Sequence, residues 1–545
     1  MEISAMELQF LVIEFSFSFS LPFQPITFYH QHSFPSKPHI QSYTKKEKMI
    51  SLINFVSLVF LMLIGIIIFK IVLPPLNFPR NIPTIPFYVI FLPSITKMDQ
   101  LQLYELYLKE PLEKYGAVKL FFGARWNILI GRPEYLSEIF KKEDIFAKSG
   151  NQKKIPYSAI AAYTGDNIIS AHGEVWKKYR SIMTTGLQQF DDSSFEENAK
   201  LFVKLIRTKL SDTDEKVLEQ NGVPVIPLIQ RLALDNISQT LLGFNFGTLS
   251  NDSVPLHEHL IRIKRQIFQP LFLTFPFLDL LKLPQRKKAF SDIEEFRNIL
   301  VDRVQTQLIE NYKFEQTKYV SSDLIRAYTN KTIDYKQLTD NIVIMLVAGH
   351  ENPQLLLTSL LYFLAKHKDT WQNLIWNEVK DVTDMKFLPN LPQLNSFILE
   401  TARIYPPLNI IINRCTSKKC RLGNDIIIPK NTYVGYHNYN ASHDKTHWGN
   451  TADDFEPRRW GDDIESIMKN WRHHKNNSSL SSFHGGKRAC LGEKLALSEM
   501  RITICELLKQ FEITVAPGWE DRVTPAGPLC PAGLHLNFTE REVKI

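Results

Sequence analysis

The 21 residues Met49–Phe69, MISLINFVSLVFLMLIGIIIF, contain no charge. A run of that length forms one helix that either crosses a bilayer or lies in a protein core. Lys70 ends it, and Pro74, Pro75, Pro79, Pro83 and Pro86 follow. Proline lacks an amide donor and fixes its own backbone angle, so residues 74–90 read as a stiff, non-helical connector. Such a hinge directly after the run favours the membrane over the core. Lys45, Lys46 and Lys48 precede the span, against Lys70 and Arg80 after it. These flanks compete under the positive-inside rule, so the orientation of the full chain is ambiguous. A chain starting at Met49 loses the competing lysines and leaves its C-terminal body in the cytosol. Met49 is therefore expected as the natural start. The expected organisation is an N-terminal extension (1–48), a transmembrane anchor (49–73), a hinge (74–90) and a catalytic body (91–545).

The body reads as one unit. Hydrophobic residues make up 44% of the chain and charged residues 22%, enough for a sizeable core. The net charge of +7 is mild and dispersed, which argues against nucleic acid and leaves room for anionic lipid or an acidic protein partner. All five cysteines lie after residue 414, at 415, 420, 490, 505 and 530. An odd number gathered in the last quarter is no secreted disulfide framework, and a reducing compartment fits better. Helical patterns are expected over 111–123, 287–312 and 340–366. NDIIIPKNTYVGY reads as two extended pieces around a turn at Pro429-Lys430-Asn431, and 466–482 as a polar loop. The fold class is mainly α with small β-sheets. There is no internal repeat and no G-x-G-x-x-G after a strand.

The chemistry concentrates in Phe483-His484-Gly485-Gly486-Lys487-Arg488-Ala489-Cys490-Leu491-Gly492. A Cys thiolate holds haem iron in one class of haem proteins and pushes electron density onto the metal. Gly486 and Gly492 allow close backbone approach, and the amphipathic LGEKLALSEMRITICELLKQF places Cys490 before a helix N-terminus, which favours an anionic sulfur. The competing reading is a buried structural cysteine. The five fixed letters F-x-x-G-x-R-x-C-x-G make that the poorer one.

This segment resembles the cysteine loop of the cytochrome P-450 superfamily at every fixed position, and supporting motifs follow in the family's order. Glu400-Thr401-Ala402-Arg403 resembles its E-x-x-R motif, and Phe455-Glu456-Pro457-Arg458-Arg459-Trp460 the segment whose arginine completes a buried triad with it. Trp176-Lys177-Lys178-Tyr179-Arg180 resembles the W-x-x-x-R helix. The resemblance covers roughly Pro74 to the C-terminus. It implies the cytochrome P-450 fold behind one transmembrane helix, with haem b as cofactor and Cys490 as the metal ligand. The resemblance further implies Trp176, Arg180, Arg414, Phe483 and Arg488 as the remaining cofactor-binding residues. It also implies electrons from NADPH through a separate cytochrome P-450 reductase, and a single-pass protein of the endoplasmic reticulum membrane with a cytosolic catalytic domain.

The helix that faces dioxygen in the family departs from the pattern. Ala348-Gly349-His350-Glu351-Asn352-Pro353 resembles A-G-x-[D/E]-T-[T/S] through Ala348, Gly349 and Glu351. Gly349 is expected to leave room for dioxygen, Glu351 to supply the acid, and Asn352 stands where threonine is usual. An amide donates a hydrogen bond but does not relay a proton by rotating a hydroxyl. Pro353 has no N–H for the carbonyl of Gly349 and disfavours helix at Asn352, so the helix is expected to open there; a kink without catalytic meaning is the alternative. A phenolic substrate sidesteps the missing hydroxyl, because it yields a hydrogen atom itself. AGHENPQLLL, SFHGGKRACLGEKLALSEMRI and TPAGPLCP most resemble the fungal N-formyltyrosine oxidases of spore-wall dityrosine synthesis. That implies a small aromatic substrate and oxidative coupling of two N-formyltyrosines to N,N'-bisformyl-dityrosine. The alternatives are a monooxygenase hydroxylating a lipid or xenobiotic, and a haem protein without oxidase activity.

Overall fold

The computed structural model describes residues 40–310 and 319–541. Its backbone divides into two units, Met1–Leu73 and Pro74–Ile545. In the first, the helix Ile40–Val72 contains the apolar span. It begins before Met49, so the lysines ahead of the span lie in the same helix. The apolar part, Lys48–Val72, is 25 residues long, about 37 Å at the α-helical rise. That exceeds the roughly 30 Å hydrocarbon core. The rest of the extension, 1–39, lies outside the described residues.

The body is mainly helical with three small sheets. Its centre is the helix Tyr335–Lys366, buried along most of its length. Asp334 starts it with a capping box: its carboxylate accepts from the Gln337 amide at 2.7 Å, and the Gln337 side chain accepts from the Asp334 amide at 3.1 Å. The expected opening at Pro353 does not occur; the helix runs through it without a break. Proline removes one backbone bond, and the closely packed turns on either side hold the geometry.

The five-stranded sheet has the order Ala117–Phe122, Arg125–Ile130, Tyr433–His437, Ile410–Thr416, Phe146–Lys148. A register shift between Ile412 and Arg414 marks a bulge that re-aims the strand. Two local expectations are corrected. Helix over 111–123 holds only to Tyr115; Gly116 turns left-handed at φ 74°, and Ala117–Phe122 is a strand. Its β-branched and aromatic residues pair with Arg125–Ile130. The expected loop over 466–482 contains the helix Ile464–Asn476. Asp463 caps it by accepting from the Ser466 amide at 2.9 Å, and Ile467 and Trp471, four residues apart, bury its inner face. The long pattern from Lys287 is helical as Pro284–Glu310. The pieces around Pro429 are strands Ile426–Ile428 and Tyr433–His437, in different sheets.

Candidate active site

Cys490 lies just ahead of the helix Glu493–Gln510, whose N-cap is Gly492. The loop is closed by the Cys490 amide donating to the Phe483 carbonyl at 2.9 Å. Gly486 takes φ +63°, and a Cβ there would stand 2.9 Å from the Phe140 carbonyl oxygen, so only glycine fits. The sulfur keeps open surface although protein encloses it on every side, so it borders an interior space. Burial pushes the Cys490 thiol up to about 11, against the opposing amides of Gly492 and Glu493. The helix N-terminus alone therefore does not ionise it. A coordinated metal cation deprotonates such a thiol outright.

A cluster of cations lies near this loop. Lys148 stands directly opposite Arg414 in the register of adjacent strands, an arrangement that costs stability between like charges. Both are almost completely buried, as is Arg488. Glu143 is the carboxylate among them, paired with Arg488. Arg488 also lies 3.8 Å over the Trp176 ring, with Arg180 at 5.5 Å from the same ring. The helix Gly173–Gln188 carries Trp176 and Arg180 on one face. Buried Nη1 of Arg488 and Nε of Arg414 lack hydrogen-bond partners. Three buried basic side chains against one carboxylate, with donors to spare, fit a dianionic ligand such as the two propionates of haem.

His484 organises this cluster. Lys148 Nζ lies 3.2 Å and Arg414 Nη2 3.4 Å from its Nε2. That nitrogen is therefore the acceptor, and Nδ1–H donates to the Tyr436 hydroxyl. Burial, then Lys148, Arg414 and Arg488, hold the His484 imidazole well below its ordinary pKa, so it is neutral. Burial also pushes the Lys148 ammonium well down. Sequence reasoning missed Lys148, Glu143 and Tyr436, because no spacing links them to the loop. His484 stood inside the motif at a variable position.

Glu400 anchors a second network. Its carboxylate accepts from Arg403 Nη2 at 2.8 Å, Arg403 Nε at 2.9 Å and Arg459 Nε at 2.9 Å. The Trp460 indole adds 3.0 Å and the Glu456 amide 2.9 Å. Arg403 spends its other protons on the carbonyls of Ser442, Ala452 and Asp454. Every lone pair and proton of this buried group is matched, the condition under which a buried ion pair is tolerated. Trp460 was not foreseen, although it follows Arg459 directly. Trp471 packs edge-on against both Phe483 and, more tilted, Trp460, and thereby links the network to the cysteine loop.

On the central helix, the space that Gly349 leaves is taken by Ile237. A Cβ on Gly349 would sit 2.2 Å from Ile237 Cδ1. Gly349 thus allows close packing between this helix and Val225–Ile237. Glu351 is enclosed by protein yet keeps 27% of its side-chain surface open, so it too borders an interior space. Lys264 lies 3.1 Å from its Oε1. Burial raises the Glu351 carboxyl, and the Lys264 ammonium lowers it by more, leaving it below its ordinary value. Asn352 Nδ2 donates to the Ala348 carbonyl at 3.3 Å.

A family model for cytochrome P450 matches residues 80–535. The chain is 60% identical over 489 residues to cytochrome P450-DIT2 of Saccharomyces cerevisiae, covering 90% of this chain and 99% of that one. It is 33% identical over 472 residues to cytochrome P450 monooxygenase xanG of Aspergillus fumigatus, covering 83% and 86%. With cytochrome P450 27C1 of Danio rerio the identity is 24% over 458 residues, covering 79% and 82%. The cysteine loop, the matched carboxylate network and these similarities converge: the chain belongs to the cytochrome P450 family of haem-thiolate oxidoreductases.

Proposed function

We propose that this protein is a membrane-anchored oxidase that joins two N-formyltyrosines carbon to carbon, making N,N'-bisformyl-dityrosine for a fungal spore wall. The observation that carries the reading is Asn352-Pro353 on the central helix, where hydroxylases of the family keep a hydroxyl. The 60% identity to the Saccharomyces relative supports it. Each phenol gives up one hydrogen atom and one new C–C bond forms. Those two hydrogens, with two electrons from NADPH and two protons, reduce one dioxygen to two waters.

Cys490 would hold the iron of a bound haem, and Trp176, Arg180, Arg414 and Arg488 would hold its propionates, with Lys148 as an added basic side chain. Phe483 supports the loop. Haem, when bound, supplies oxygen binding and one-electron oxidation. Glu351 holds or releases a proton at Oε1, and Asn352 fixes the carbonyl of Ala348 instead of passing a proton. Gly349 keeps the helix seated on Ile237. A cytochrome P-450 reductase delivers the electrons. Residues 49–73 anchor the protein in the endoplasmic reticulum membrane and 74–90 form the hinge to a cytosolic catalytic body over 91–545, with 1–48 as an extension.

The test is mass spectrometry of products from purified enzyme, reductase and NADPH offered N-formyltyrosine. A product of two substrate masses less two hydrogens is expected. Substrate plus one oxygen supports the ordinary monooxygenase instead, and reductase-supported turnover of no substrate supports a haem protein without oxidase activity.

A further inference from the structure

Lys264 sits in the last turn of the helix Pro255–Ile267 and reaches Glu351 on the central helix. Lys264 keeps 24% of its side-chain surface open beside an enclosed carboxylate. The ion pair thus ties this helix to the central helix at a carboxylate whose remaining surface is open.

The remaining groups that face Glu351 carry no positive charge. His350 Nε2 is 4.0 Å from Glu351 Oε1 and has no hydrogen-bond partner, while its Nδ1–H donates to the Leu346 carbonyl at 2.7 Å. Burial holds the His350 pKa at about 4, so it is neutral. Tyr163 is buried, with an unpartnered hydroxyl, and feels the charge of Glu351. His257, on the same helix as Lys264, is held at about 4 by burial and is neutral too. Lys264 is therefore the one full cation among the described groups acting on Glu351.

We propose that Lys264 recognises the carboxylate of the substrate, with Glu351 as its counter-ion when no substrate is bound. The proposal rests on the N-formyltyrosine reading above and adds the residue that separates an acylated amino acid from a neutral phenol. A carboxylate entering an enclosed site without a cation is strongly disfavoured. A mobile ammonium on a four-carbon stem can turn from one carboxylate to another with little strain, which a guanidinium fork does less freely. Glu351 keeps the ammonium in place until then.

The test uses the haem-loaded full chain and equilibrium dialysis with two ligands. N-formyltyrosine carries the carboxylate; N-formyltyramine has the same phenol and formamide without it. Wild-type protein should prefer N-formyltyrosine by roughly tenfold or more. Lys264→Gln should bring the ratio to about one by weakening N-formyltyrosine alone, and Lys264→Arg should keep most of the preference. Haem content and melting temperature verify that the variants are folded. A wild-type ratio preserved in Lys264→Gln, or equal weakening of both ligands, overturns the assignment. Wild-type protein that binds both ligands equally also overturns the assignment and leaves the substrate reading standing. Wild-type protein that binds neither overturns the substrate reading and this assignment with it.

Discussion

Asn352 donates through Nδ2 to the carbonyl of Ala348, 3.3 Å away and one turn back on the same helix. Its amide is thus committed to the backbone beside a proline that leaves the Gly349 carbonyl without its usual donor. Asn352→Thr restores a hydroxyl where the family uses one. The variant should gain hydroxylation of N-formylphenylalanine while coupling of N-formyltyrosine changes little. Wild-type enzyme should release more peroxide per NADPH with the phenylalanine analogue than with the tyrosine. Equal hydroxylation of the phenylalanine analogue and coupling of the tyrosine by wild type would remove support for the adaptation.

The Glu400 network has no slack. Arg403→Ala leaves a fully buried carboxylate short of its main partner, a loss of about 3–5 kcal/mol. Trp460→Phe removes one indole donor and should cost about 1–3 kcal/mol. Denaturant unfolding measures both, and haem yield should collapse in Arg403→Ala and only fall in Trp460→Phe.

Lys148 and Arg414 face each other across two strands, an unfavourable pairing that an anionic ligand relieves. Lys148→Met and Arg488→Leu should each speed haem loss to apomyoglobin severalfold. The fraction that stays loaded should keep the red-shifted Soret band of the reduced carbon monoxide complex. Cys490→Ala should lose that band altogether. Because burial holds the free thiol protonated at neutral pH, ferric haem uptake should release a proton, which weakly buffered titration detects.

Glu499 is buried, accepts from Asn236 Nδ2 at 2.9 Å, and is pushed up to about 8 by burial. Between the ordinary carboxyl value and that one, the folded protein binds more protons than the unfolded chain. Stability from this group is therefore complete below about pH 4.5 and falls as pH rises towards 8. Glu499→Gln keeps the acceptor without the charge. It should raise the melting temperature at pH 8 and leave it nearly unchanged at pH 5.

The features that sequence made legible share one trait: their partners are neighbours along the chain. The apolar helix ahead of the prolines, the loop around Cys490 and the pair Glu400 and Arg403 are of this kind. Arg459 and the Trp176 helix came only through the family's motif order. Lys148 and Glu143 were invisible, because strand register and a bulge, not spacing, bring them to Arg414 and Arg488. The continuous helix through Pro353 and the helix Ile464–Asn476 were misread because tertiary burial outweighed local propensity. Ile237 beside Gly349 belongs to a different helix altogether, so no spacing along the chain announced that contact.

In the proposed coupling, oxygen is reduced without entering the product. Turnover of N-formyltyrosine under ¹⁸O₂, with the product analysed by mass spectrometry, tests it directly. The expected product is N,N'-bisformyl-dityrosine carrying no ¹⁸O, with the label recovered in water. An ¹⁸O atom in the principal product would contradict it.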